Sequence, residues 1–348
     1  MEQFSVKKRM QVAARNRAGI LGCWFAATLL MLAAPMAWAE TCSTSAEMDN
    51  ATRAAIMAAA QHDFELVARG DAAGLRQNAI PSVAGDFGGV EASIKDNQSA
   101  LTGATGTPRP PFLLDAEGSA PVPRAEFLCG VFGKNGQTPD SAVFYLDNLP
   151  PGKYGVVILD AGATSEARTV SLILVRQGAD WKLGGLYIRA AQSAGHDSDW
   201  FMARAREFKS KGQAHNAWLY SLEARSLISP LPFMSTAATD KLYDETQKMQ
   251  PADFPAEGKP VDLTAGTATY KLTALFPSAV GNDLDLVVKY EAGNISDTNQ
   301  TYQSNVAVMK SLLAKFPELR DAFAAVVARA VAPSGQDYGT MLAVKEIK

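Results

Sequence analysis

Histidine, cysteine and carboxylate side chains are the groups whose spacing bears on chemistry, and His196-Asp197-Ser198-Asp199 is where they crowd most closely. One imidazole and two carboxylates lack the further imidazole or thiolates that zinc takes. The stretch reads instead as a helix start, with Ser198 or Asp199 capping the backbone ahead of Trp200. His62 and Asp63 adjoin in a helical segment and so point about 100° apart, which is no pair, and His62 reads as solvent-facing. His215 lies in a later helical segment. With three histidines in the chain, no Ser-His-Asp or Cys-His constellation assembles, and no nucleophile elbow, phosphate loop or dinucleotide fingerprint occurs. No catalytic residue, metal ligand or cofactor is assigned.

The compartment is the clearest functional statement. Lys7, Lys8, Arg9, Arg15 and Arg17 precede an uncharged run at 19–36, followed by Ala37-Trp38-Ala39 and Glu40. This is the pattern of a signal peptide over 1–39, cleaved between Ala39 and Glu40. The rival is an uncleaved anchor, since residues 19–36 reach most of the way across a ~30 Å hydrocarbon core. Lipidation at Cys23 fails because the apolar run lies after that cysteine. Cleavage leaves Cys42 and Cys129, for which a disulfide in an oxidising compartment is the simplest use, two buried thiols being the alternative. The remaining chain carries 28 Lys and Arg against 35 Asp and Glu, a net charge of −7. No nucleic acid is expected as a partner, and a membrane only through the leader if uncleaved.

These residues need elements to hold them. Thr44 to Glu47 has the capping-box form, and Met48, Thr52, Ile56, Ala60, Phe64 and Val67 make one helical stripe ending at Gly70. Ala72 to Asn78 is a shorter helix, and Val90, Ile94 and Leu101 share a further helical face. Residues 102–123 read as a long loop around the apolar patch Phe112 to Leu114. From 125 the period becomes strand-like: Ala125–Phe132, Ser141–Asn148, Lys153–Asp160, Arg168–Arg176 and Asp180–Arg189, an antiparallel meander with Gln177-Gly178 at its clearest turn. The fold class is α+β, helices covering one face of a curved sheet.

This order, ending in Leu174-Val175-Arg176-Gln177-Gly178-Ala179-Asp180-Trp181-Lys182-Leu183 and Leu186-Tyr187-Ile188, resembles the nuclear transport factor 2-like (cystatin-like, cone-shaped) superfamily over about 44–192. The resemblance implies a cone whose wide end often opens as an apolar pocket, in a superfamily of isomerases, dehydratases, cyclases and non-enzymatic binding or assembly domains. Strand parity puts Val143, Tyr145 and Asp147 on one face, likewise Tyr154, Val156 and Ile158, and Trp181, Leu183 and Tyr187. Tyr145, Tyr154, Trp181 and Tyr187 are therefore the candidate ligand-binding residues of such a pocket, with plain core packing as the alternative. Asp147, close to Leu149-Pro150, reads as a solvated turn acid rather than a base.

Past residue 198, Phe201, Ala205, Phe208, Gly212, Ala217, Ala224 and Pro230 resemble one tetratricopeptide repeat, with Ser221 where that pattern has a large residue. No second copy follows, so a single helical hairpin is expected, then a helix from about Thr236 to Met249. Residues 251–262, overlapping the Pro-rich Gln250 to Pro260, read as a linker. The remainder, 263–348, reads as a second small α+β domain of ββααβ order: Thr267–Phe276, Asp283–Tyr290, helices on Val306, Met309, Leu313, Phe316 and on Leu319, Phe323, Val326, Val327, Ala330, and a strand Tyr338–Ile347. The domains are thus 1–39, 40–198, 199–250, 251–262 and 263–348. The sequence reading is a secreted or periplasmic binding or assembly protein whose partner is an unidentified protein or a small apolar ligand. A small-molecule enzyme of isomerase, dehydratase or hydrolase type using the cone pocket is the alternative.

Overall fold

The structure, a computed structural model, describes residues 40–131, 136–162 and 166–348; the signal peptide expected over 1–39, Ala39 of its cleavage site included, lies outside the described residues. The class is α+β, as expected. Helix α1 (Asn50–Arg69) buries Ile56, Ala60, Phe64 and Val67 and stops at Gly70, whose φ of 72° is a left-handed cap that costs glycine little. Its start differs from expectation. Thr44 N and Oγ1 do donate to Glu47 Oε2, at 2.7 and 2.8 Å, but this closes a separate turn. The helix is capped by Asp49, whose Oδ1 accepts the Thr52 N–H at 2.8 Å. Helices α2 (Ala72–Gln77), α3 (Pro81–Gly85) and α4 (Gly88–Leu101) follow, α4 burying Ile94 and Leu101.

Strands β1 (Thr41–Ser43), β2 (Thr105–Pro108), β3 (Phe112–Ala116), β4 (Val122–Cys129), β5 (Ala142–Leu149), β6 (Gly152–Gly162), β7 (Arg168–Gln177) and β8 (Asp180–Ala190) do not make one meander. β6, β7 and β8 run as antiparallel neighbours in the order β1-β3-β6-β7-β8. β2 and β3, expected to be loop, pair end to end along β6 with Pro110-Pro111 between them. A strand that long offers partners for both pieces, and the prolines in the gap hid the continuity. β4 and β5 separate into a second sheet. Asn148 (φ 52°) and Gly152 (φ 154°) bracket the Pro150-Pro151 corner where the chain changes sheets.

The first sheet is therefore the middle layer. One face packs Val157, Leu159, Leu172, Leu174 and Leu183 against Ile56, Phe64 and Val67 of α1, each fully buried aliphatic contributing ~1.5–3 kcal/mol. The opposite face carries Tyr154 and Val156 onto Phe127 and Phe144 of the second sheet. Cys42 and Cys129 are disulfide-bonded with Cα atoms 4.9 Å apart, tying β1 of one sheet to β4 of the other. In β8 the register slips: Ile173 pairs with Gly185 but Leu174 with Leu183, leaving Gly184 as a bulge. A Cβ there would lie 2.5 Å from Val175 Cγ2.

Helices α5 (Ser198–Ser210) and α6 (Ala214–Ile228) form the expected hairpin, turning at Gly212 with φ 77°. Next come β9 (Met234–Thr236), unforeseen and paired with β5, and α7 (Ala237–Gln247), with a capping box between Thr236 and Thr239. The stretch 251–262 is no free linker. Phe254 is buried with its ring centroid 4.5 Å from His215 and 5.1 Å from Phe316, and β10 (Val261–Ala265) begins within it.

The C-terminal sheet runs β10-β11-β12-β13-β14 through β11 (Ala268–Val280), β12 (Asp283–Glu291), β13 (Ala325–Val331) and β14 (Asp337–Ala343), with α8 (Thr298–Lys315) between β12 and β13. The order is thus βββαββ, correcting ββααβ. Phe323 to Ala330, expected as helix, supplies β13, parallel to β12. Val326, Ala328 and Ala330 alternate inward, and the same apolar residues fit a 3.6 period almost as well. Pro317 opens only a short 3-10 turn to Asp321. Tyr220, Leu286, Met309 and Val326 belong to a single core, so hairpin and sheet share one interior.

Candidate functional site

The four aromatics expected to line a pocket are not brought together. Trp181 is packed in the helix-side core with Ile56, Phe64 and Val67. Tyr154 lies between the sheets and donates its hydroxyl to Pro150 O at 2.6 Å. Tyr187 packs edge-on to Phe233, centroids 5.5 Å apart. Tyr145 is half-buried on the outer side of β5, opposite Glu126. The physical reason for the split of Trp181 from Tyr187 is the Gly184 bulge, which reverses which residues of β8 face the helices. Burial raises the phenols of Tyr154, Tyr187 and Tyr145 above their ordinary value, as for hydroxyls in protein rather than at an open mouth. Asp147 and His62 are exposed, as expected.

Two acidic arrangements went unread. Asp63 is completely buried on the apolar side of α1, and burial pushes its carboxyl up to about 6. Asn78 Nδ2 donates to its Oδ1 at 2.5 Å, and Lys182 Nζ donates to Asn78 Oδ1 at 3.2 Å. This polar chain joins α1 to the segment that pairs with the edge of β8, where Ile80 N donates to Leu183 O at 2.9 Å. The sequence signal was present: position 63 falls on the stripe of 56, 60, 64 and 67, where an acid is out of place. His215 is held between Glu318 (Nδ1, 2.5 Å) and Asp253 (Nε2, 2.9 Å), its ring between Phe254 and Phe316. Although burial pushes the Asp253 carboxyl up, the His215 bond holds it below its ordinary value. The arrangement fastens 251–262 to α6.

The surface best suited to a ligand is an open cleft of about 290 Å³ lined by His196, Trp200, Tyr220, Asp283, Asp321 and Phe323, with neighbouring residues. It is built by a tight turn: Ser193 N donates to His196 O and His196 N to Ser193 O, both 2.9 Å, with Ala194 at φ 47° and Gly195 at φ 77°. Both central residues are left-handed, a conformation alanine adopts at a cost of about 1 kcal/mol. Asp197, rather than Ser198 or Asp199, caps α5, its Oδ1 accepting Trp200 N–H at 2.9 Å. Trp200 thereby stands in the first turn, 39% exposed, with the His196 ring stacked on it at 3.6 Å and 5°. Phe201 and Tyr220 support the indole from behind. Burial pushes the Tyr220 phenol up to about 12, and its hydroxyl donates to Ala322 O at 2.8 Å.

Across the cleft, Asn282 comes from the β11–β12 turn, Asp283 from the first position of β12 and Asp321 from the 3-10 turn, its Oδ2 accepting from Gln213 Nε2 at 2.7 Å. Asp283 and Asp321 are exposed. Two exposed carboxylates in a cleft that also holds aromatic side chains favour a cationic ligand over an anionic one. A second cleft, about 340 Å³, lies over Phe64 and Gly103–Gly106, but Phe64 is a core residue there. Comparisons with protein-family models, characterised proteins and solved structures give no match, so this surface is read from its own geometry alone.

Proposed function

We propose that this chain is an exported, non-catalytic binding or assembly protein, secreted or periplasmic, whose partner places a cationic group in the Trp200 cleft. The observation that carries the reading is the exposed indole of Trp200, stacked on His196 in a cleft that Asp283 and Asp321 also line. Large exposed aromatics are costly to hydrate and recur where partners dock. The Cys42–Cys129 bridge is compatible with an oxidising compartment and supports export. The likeness of 44–192 to the nuclear transport factor 2-like cone and of 199–230 to a tetratricopeptide hairpin belong to the same proposal, supported by helices packed on a sheet and by the α5–α6 pair.

Calorimetric titration of the mature protein with a tetra-arginine peptide tests it. Saturable binding that weakens with salt, and about tenfold weaker binding in Trp200→Ala, are expected, a cation–π contact being worth ~0.5–2 kcal/mol. Equal binding by wild type and Trp200→Ala would place the cationic site elsewhere.

A further inference from the structure

Among the described residues that line the Trp200 cleft none is a lysine or arginine, and His196 is the one side chain there able to carry a positive charge. Its place is fixed by backbone. The reciprocal bonds between Ser193 and His196, with Ala194 and Gly195 left-handed between them, close the turn, and Asp197 next to it caps α5. The turn sits close to the opposite wall, a Cβ on Gly195 lying 4.0 Å from Asn282 Oδ1. The imidazole stacks on the Trp200 indole with centroids 3.6 Å apart and planes 5° from parallel. Charged groups surround it from each wall. Asp283 of β12 and Asp321 of the 3-10 turn line the cleft, and Asp197 and Asp199 follow His196 at the start of α5. Glu223 of α6, raised above the ordinary carboxylate value by burial, lies beside Ser193 at the other end of the turn. The Tyr220 hydroxyl is engaged on Ala322 O, and Arg204, whose charge reaches it, is paired with Glu207.

We propose that His196 makes binding at this cleft pH-dependent: its imidazolium opposes the partner's cationic group, and its neutral imidazole admits it. The inference rests on the cationic-ligand reading of the cleft and adds its regulation. Imidazole is the side chain whose unperturbed charge changes between about pH 5 and about pH 8. In acid, His196 brings a positive charge onto the indole face and into the cleft that both carboxylates line. Those are the features that favour a cationic ligand, so the chain's own charge stands where the partner's would. Two like charges in one surface cleft repel enough to change affinity by about one power of ten. By linkage the bound cation displaces the proton in turn, so binding releases protons and affinity rises with pH.

Calorimetric titration of the protein spanning residues 40–348 with N-acetylated, C-amidated tetra-arginine, whose charge does not change with pH, tests this at about pH 5.5 and about pH 8. Wild type should bind about fivefold more weakly at the lower pH, and titration in buffers of different ionisation enthalpy should show protons released on binding. His196→Gln keeps a planar polar side chain that does not titrate and should bind equally at both pH values within about twofold. His196→Arg, a fixed cation, should bind weakly at both. Circular dichroism checks the fold of each variant. Wild-type binding of equal strength at both pH values, without proton release, overturns the inference and leaves the cationic reading of the cleft standing. So does a pH response retained in folded His196→Gln, which would belong to Glu223 or to the cleft carboxylates. Absence of wild-type binding at the higher pH overturns the reading of the cleft and this inference with it.

Discussion

Asp63→Asn isolates the energetics of the buried acid in α1. The Asp63 carboxyl is raised from 3.8 to about 6 by burial. Between those values the native state holds a proton that the unfolded chain has released, so stability falls as pH rises. The contribution is fully present below pH 3.8 and is lost through about pH 6, a total of about 3 kcal/mol at 1.36 kcal/mol per unit. Over a window from about pH 5 to about pH 8 the same linkage gives a loss of about 1.4 kcal/mol. Asparagine keeps the acceptor for Asn78 but does not titrate, and whatever its amide costs by lacking a partner is the same at both pH values. Urea unfolding of both proteins at each pH is the assay. The variant should gain about 1.4 kcal/mol on wild type between the two pH values. A difference independent of pH would show that Asp63 is charged throughout and that the buried, proton-holding account is wrong.

Other outcomes follow from the packing. Cys42→Ser with Cys129→Ser should cost roughly 4 kcal/mol in the unstrained limit, because the bridge closes 87 residues and joins two sheets; thiol titration of the unfolded, unreduced protein should find no free group at either position. Gly184→Val should destabilise by several kcal/mol, since even a Cβ meets Val175 at 2.5 Å, and a melting temperature equal to wild type would remove the bulge from the explanation of β8. Phe254→Ala should cost ~3–5 kcal/mol if 251–262 is part of the core, and near nothing if it is a spacer.

The sequence made some of this plain. The stripe Ile56–Val67 with Gly70 after it allows one reading, and the strands β4 to β8 each carry enough β-branched and aromatic residues to be seen alone. What escaped needed knowledge of neighbours. A single extra residue at Gly184 reverses side-chain parity, so Trp181 and Tyr187, six apart and expected on one face, lie on opposite faces. Residues 323–330 satisfy helical and strand periods alike, and only the vacant edge of β12 decides for a strand. Phe254 sits among prolines that mark a linker by composition, yet composition says nothing of the space between His215 and Phe316 that its ring fills. The cleft was beyond reach for the same reason. Its walls come from 194–201, 220, 282–284 and 321–324, which the shared core alone brings together.

The most direct test of the binding account follows the indole N–H resonances of Trp181, Trp200 and Trp218 while tetra-arginine is titrated into the protein spanning residues 40–348. Trp181 and Trp218 are buried and Trp200 is exposed at the cleft, so the three report separately. The account predicts a saturable shift at Trp200 with the other two unmoved. A shift confined to Trp181, or none at Trp200 while the peptide binds, would contradict it.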